Sequence, residues 1–119
     1  MARILIIEDN VMNMRLTQLL LETAGHEVLQ AMNAQDGLEI ARNQSPEMIL
    51  MDIQLPGMDG LTATKLLKGD QHTRHIKIIA LTAFAMKGDE EKMRAAGCDG
   101  YIAKPIRYKE FLETIGALL

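Results

Sequence analysis

Tryptophan is absent, and the 119 residues hold only two tyrosines and two phenylalanines. Stacking surface for a flavin or a nucleotide base is therefore scarce. The single cysteine, Cys98, excludes an internal disulfide. No apolar run approaches the roughly 18 residues that a membrane span requires. The start of the chain lacks the basic-then-apolar pattern of an export signal. Net charge is −3, and no basic stretch is dense enough to form a nucleic-acid footprint. There are no linkers, repeats or low-complexity segments. These absences point to a cytoplasmic protein that neither inserts in a membrane nor binds nucleic acid directly.

What is present suits one soluble globular domain over residues 1–119, with no effector domain. Hydrophobic residues make up 48% and charged residues 24%, enough apolar material for one core. Short apolar runs alternate with helix-like segments. The strands are expected near 3–7, 27–31, 47–51, 76–81 and 100–103. The helices are expected from just after Asp9-Asn10 to near Gly25, over 34–44, 61–68 and 87–96, and over 106–118. Gly25 and Gly97 are natural helix stops, and Pro46 prevents the second helix from continuing. Five strand–helix pairs in alternation imply a parallel sheet covered by helices on both faces. The order of the strands does not follow from this pattern.

The strand ends carry the chemistry. Ile4-Leu5-Ile6-Ile7 runs into Glu8-Asp9, and Met48-Ile49-Leu50-Met51 runs into Asp52. The fourth strand ends at Thr82 and the fifth at Lys104-Pro105. In an open parallel sheet the ligand site lies at the carboxyl ends of the strands. Three acids, a hydroxyl and an ammonium should therefore meet at one edge. Like charges about 4 Å apart cost about 4 kcal/mol at an effective dielectric near 20. Lys104 supplies one compensating charge. A hard divalent cation suits the remainder, Mg2+ first and Mn2+ as the alternative, because it prefers oxygen ligands and phosphate oxygens. The plain alternative is that strand-end acids merely face water.

A carboxylate beside a metal can attack phosphorus. Asp52 stands alone at its strand end and is the better nucleophile. Glu8 and Asp9 look like a metal-holding pair. Thr82 is placed to donate a hydrogen bond to a phosphoryl oxygen. Two other classes fit less well. A phosphohydrolase with an aspartate nucleophile generally needs a second acid two residues on, and that position is Gln54. A nucleotide binder wants backbone donors after the first strand, where Glu8-Asp9 would repel a phosphate.

This constellation resembles the receiver domain of two-component response regulators, over the whole chain. The resemblance rests on Glu8-Asp9, on Met51-Asp52-Ile53-Gln54-Leu55-Pro56-Gly57-Met58-Asp59-Gly60, on Thr82-Ala83 and on Tyr101-Ile102-Ala103-Lys104-Pro105. It implies a flavodoxin-like doubly wound sheet in the order 2-1-3-4-5. It implies Asp52 as phosphoacceptor, with Mg2+ held by Asp9, Asp52 and the backbone carbonyl of Gln54, and by Glu8 through water. Lys104 would pair with Asp52 or its phosphate. Thr82 and Ala83 would meet the phosphoryl group, and Tyr101 would turn inward as Thr82 moves. The Lys104-Pro105 bond would be cis. Gln54 and Phe84 flank the phosphoryl position and would tune its lifetime, bulky Phe84 by hindering water. Many relatives carry aspartate where this chain has Glu8, so its reach to the metal shell is longer.

The implied partners are a histidine kinase or histidine phosphotransfer protein and a downstream protein target. On the first helix, Asn13, Leu16, Leu20 and Ala24 form a stripe expected to face the sheet. Val11, Met14 and Gln18 then fall outward as a kinase-docking face. The output face is expected on the fourth helix, fifth strand and fifth helix, with Met86, Met93 and Tyr108 contributing. His72 and His75 read as solvated loop histidines, none of the three histidines including His26 has a phosphorelay context, and Cys98 reads as a packing residue.

Overall fold

The structure, a computed structural model, describes residues 2–83 and 87–119. Five strands and five helices alternate along the chain: β1 (Arg3–Ile7), α1 (Val11–Thr23), β2 (Glu27–Ala31), α2 (Ala34–Gln44), β3 (Met48–Asp52), α3 (Gly60–Gly69), β4 (Lys77–Thr82), α4 (Lys87–Ala96), β5 (Gly100–Ala103) and α5 (Tyr108–Leu118). The strands form one parallel sheet in the order β2-β1-β3-β4-β5. The order reverses between β1 and β3, the switch point at which such sheets open a crevice.

All five residues of β3 are buried, as expected for a central strand covered on both faces. Alternate residues feed two cores. Ile4, Ile6, Leu50, Leu81 and Ile102 pack with Met14 and Leu21 of α1 and with Phe111 and Ile115 of α5. Leu5, Ile7, Ile49, Met51 and Ile78 pack on the opposite face with Ala34 and Ala41 of α2 and Ala63 and Leu67 of α3. Helix starts are fixed by side-chain caps. Asn10, Asn33 and Asp59 accept hydrogen bonds from the backbone N–H groups of Asn13, Asp36 and Thr62. Gly25 and Gly97 end α1 and α4 with φ of +91° and +107°, a region that favours glycine.

One expectation fails here. The buried residues of α1 are Met14, Thr17 and Leu21, not the stripe of Asn13, Leu16, Leu20 and Ala24. The spacing is right but displaced by one residue, about 100° around a helix. Thr17 is the reason. Its hydroxyl donates to the carbonyl of Asn13 at 2.8 Å, so a polar residue takes a core position with its hydrogen bond satisfied. Met14 is therefore in the core and is no part of an exposed docking face. Val11 is exposed, as are Met12, Leu16 and Leu19. Gln18 is half-buried and pairs with Gln30 of β2. Met93 is likewise buried at 3% exposure, which removes it from the outer surface of α4, whereas Tyr108 is exposed. Phe84 and Met86 lie outside the described residues.

Smaller departures concern element ends. The last helix begins at Tyr108 rather than 106, and β3 and β4 extend to include Asp52 and Thr82. The Lys104–Pro105 peptide is cis. Among the described residues, no helix is long and apolar enough to cross a membrane.

Candidate metal and acceptor site

The carboxyl ends of β1, β3, β4 and β5 come together at the switch point. Glu8 and Asp52 are buried, at 1% and 4% exposure, while Asp9 is exposed. A carboxylate oxygen from each of Glu8, Asp9 and Asp52 lies within 4.8 Å of the others. The Lys104 ammonium bridges the two buried acids, donating to Glu8 Oε1 at 2.9 Å and to Asp52 Oδ2 at 3.3 Å. The second oxygens are bonded to the backbone. Asn10 N–H donates to Glu8 Oε2 at 3.3 Å, and Gln54 N–H donates to Asp52 Oδ1 at 3.0 Å. Both carboxylates are thus aimed by the loops that follow their strands.

The electrostatics are unbalanced. Burial pushes the Glu8 carboxyl up, and its hydrogen bond to Asp52 adds to the rise, while Lys104 works against it. Burial alone would pull Lys104 down. The hydrogen bond to Glu8 and the charges of Asp52 and Glu8 outweigh it, and the ammonium is held above its usual value. One cation facing three carboxylates leaves a surplus of negative charge on an all-oxygen donor set. That chemistry fits a hard divalent cation such as Mg2+.

Two residues whose part in the site the sequence patterns did not show build the frame. Asn10 both caps α1 and holds Glu8. Gly60, the first residue of α3, lies against the end of β3. A Cβ there would sit 2.3 Å from the Asp52 carbonyl oxygen and 2.9 Å from Ile53 Cα. The Gly60 N–H donates to the Ile53 carbonyl at 3.1 Å, and the buried Thr64 hydroxyl donates to the Gly60 carbonyl at 2.8 Å. Asp59-Gly60 was visible only as a turn signal. The close approach explains why the second residue has no side chain.

The remaining expected residues divide. Thr82 is the last residue of β4 and buried at 2% exposure, and Ala83 after it is exposed. The Gln54 side chain is exposed at the same rim. A groove of about 390 Å³ opens beside the site between α1 and the Pro105 turn, lined by Asn13, Leu16, Ala83, Lys104, Pro105 and Ile106. Tyr101 lies farther off, at 36% exposure, with its hydroxyl toward Glu90 of α4. His72 and His75 are exposed loop residues. The three acids at the strand ends are the one cluster of metal-ligating side chains found among the described residues. Cys98 is half-buried against Thr64, and burial raises its thiol.

The chain matches the family described as "Response regulator receiver domain" over residues 4–116. It is 51% identical over 116 residues to the polar-differentiation response regulator DivK of Brucella anthropi, covering 98% of this chain and 94% of that protein. DivK of Brucella ovis is 50% identical over the same extent. Among solved structures, the receiver domain of a sensor histidine kinase from Pseudomonas aeruginosa aligns with a TM-score of 0.91 and 33% identity, covering 98% of this chain and 96% of that one. That protein has a magnesium ion coordinated in its active site cleft. A putative response regulator from Chloroflexus aurantiacus aligns with a TM-score of 0.94 at 27% identity, over 98% and 96% of the two chains. With acids, lysine and hydroxyl gathered at one switch point of a 2-1-3-4-5 sheet, the chain belongs to the response regulator receiver domain family.

Proposed function

We propose that the chain is a phosphorylation-driven switch of a two-component phosphorelay, with Asp52 as the acceptor. One observation carries this reading: Asp52 is buried at the end of a central strand and shares the Lys104 ammonium with Glu8. An Asp52 oxygen attacks the phosphorus of a phosphohistidine. The new P–O bond forms as the P–N bond breaks, and the imidazole leaves with the electron pair. Bound Mg2+, held by Asp9, Asp52 and the Gln54 carbonyl with Glu8 acting through water, would offset charge on the phosphoryl oxygens. Lys104, 3.3 Å from Asp52 Oδ2, would meet the same oxygens once Asp52 is phosphorylated. The Thr82 hydroxyl and the rim at Ala83 complete the binding of the group, and movement of Thr82 draws Tyr101 inward. Partner affinity then follows the shift in population.

The position two residues past Asp52 argues for a switch rather than a turnover catalyst. Gln54 has an amide and cannot exchange a proton with a leaving group as an acid would. Incubation with Mg2+ and acetyl phosphate or beryllofluoride tests the assignment. The adduct is expected on Asp52 and is expected to vanish in a folded Asp52→Asn variant. An undiminished adduct in that variant would sink it.

The phosphodonor is expected to dock on the face that α1 does expose, Val11, Met12, Leu16 and Leu19, beside the groove to Ile106. Leu16→Asp should lower phosphotransfer from a cognate histidine kinase or phosphotransfer protein about tenfold, a loss of one interface side chain. Labelling by acetyl phosphate should persist. Equal loss with both donors would exclude docking as the cause.

A further inference from the structure

Tyr101, exposed on β5, is contacted at its hydroxyl by α4. It projects from β5 opposite Ala80, two residues before the register pair of Ala103 with Thr82. Its hydroxyl points to Glu90 Oε2 at 3.4 Å, a long and weak hydrogen bond. The other Glu90 oxygen is fixed by Arg94 Nη2 at 2.8 Å, one turn along α4. Inward rotation of Tyr101 would break the Glu90 contact.

We propose that Glu90, oriented by Arg94, is a positioning residue that latches Tyr101 outward and sets the resting bias of the switch. This rests on the proposed function, because the latch matters only if acceptor chemistry at Asp52 draws Tyr101 inward. A ligand that favours the inward state is bound with an apparent affinity that scales with the population of that state. Removing the latch should raise that population and tighten binding. Nothing in the latch touches the acceptor site, so the chemistry itself should be unaltered.

The chain has two tyrosines, so labelling with 3-fluorotyrosine should give two fluorine resonances, assigned with Tyr101→Phe. Resonance position and half-saturating beryllofluoride, in excess Mg2+, are then read for each variant. In Glu90→Ala the unliganded Tyr101 resonance should move toward the wild-type liganded position. Half-saturation should fall roughly two- to fivefold, the range of an exposed charged contact. Arg94→Ala should move both in the same direction but less. Glu90→Gln, which keeps an acceptor oxygen, should lie between Glu90→Ala and wild type. Glu91→Ala removes an exposed acid from the same turn and should change neither. The latch is overturned if Glu90→Ala and Arg94→Ala both behave as wild type, or if Glu91→Ala matches Glu90→Ala. A wild-type protein that forms no adduct, or whose Tyr101 resonance ignores the adduct, overturns the proposed function and the latch with it.

Discussion

A lysine is salt-bridged at each end of the sheet, and the two lysines are used in opposite ways. At the carboxyl edge, Lys104 is divided between Glu8 and Asp52 with Asp9 nearby. At the opposite edge, Lys68 at the end of α3 donates to Asp99 at 2.9 Å and to the carbonyls of Ile76 at 2.8 Å and Arg74 at 3.4 Å. Asp99 Oδ2 also accepts the Ile78 N–H at 2.8 Å. The Lys68 stem packs under Gly97, where an added Cβ would lie 2.8 Å from Cγ. There one cation meets one carboxylate and its spare donors are spent on carbonyls. The clamp ties α3, β4 and β5 and has no charge left over. The edge around Lys104 keeps surplus acid, and that surplus is what a divalent cation can use. The contrast separates a lysine that holds the fold from one that serves a site, although both form salt bridges below 3 Å.

The largest test of this contrast is Glu8→Gln. It leaves the shape of the side chain and removes one surplus charge. Mg2+ affinity, measured by calorimetry, should fall about 10- to 100-fold, as for other outer-shell metal partners. The metal-free protein should melt higher, because burial already disfavours the Glu8 carboxylate. A lower melting temperature together with unchanged Mg2+ affinity would mean that the edge is balanced after all.

Lys68→Met should do the reverse. The partly exposed clamp is worth roughly 1–2 kcal/mol, since its loss leaves a carboxylate and two carbonyls without their donor. Denaturant unfolding should show that loss, while the Asp52 adduct forms as in wild type. Loss of the adduct in a folded Lys68→Met protein would erase the distinction between the two ends.

The smallest effect is one of pH. Glu8 titrates above its ordinary value of 4.5 in the fold, so the native state binds that proton more tightly than the unfolded chain does. Metal-free stability should therefore fall as pH rises from 4.5 through the folded value. Mg2+ favours the carboxylate and should flatten the slope, and Glu8→Gln should remove Glu8's share of it. The raised Lys104 adds a loss only at alkaline pH, above its ordinary 10.5. Thermal melts across pH 4–7, roughly the span of a carboxyl titration, with EDTA or Mg2+ would check the sign.

The reading of the chain succeeded where the signal is local and fell short where it depends on packing. Apolar runs ending in Glu8-Asp9, Asp52, Thr82 and Lys104 mark strand ends directly, because a parallel strand buried on both faces has to be continuously apolar. Asn10 is similarly legible as a helix start, whereas the caps at Asn33 and Asp59 emerged only in the structure. The face of α1 was misread because Thr17 looks polar, yet its hydroxyl is satisfied within the helix. The Lys68–Asp99 clamp joins residues 31 apart, and Tyr101 meets Glu90 across 11. Neither pair has a spacing that announces it. The acids, the lysine and the strand ends were visible, while the loops that aim them emerged only once the chain was folded.

Gly60 bears on how relatives of this domain should be judged. A chain with alanine there would keep every acid, the lysine and the hydroxyl, and any inventory of functional residues would score it as intact. Its added methyl would nevertheless press on the Asp52 carbonyl from 2.3 Å, and β3 or the start of α3 would have to give way. Competence at this edge is therefore a property of a backbone contact as much as of side chains. A hydrogen at position 60 deserves the same weight as the carboxylate at 52 when variants are sorted into working and broken.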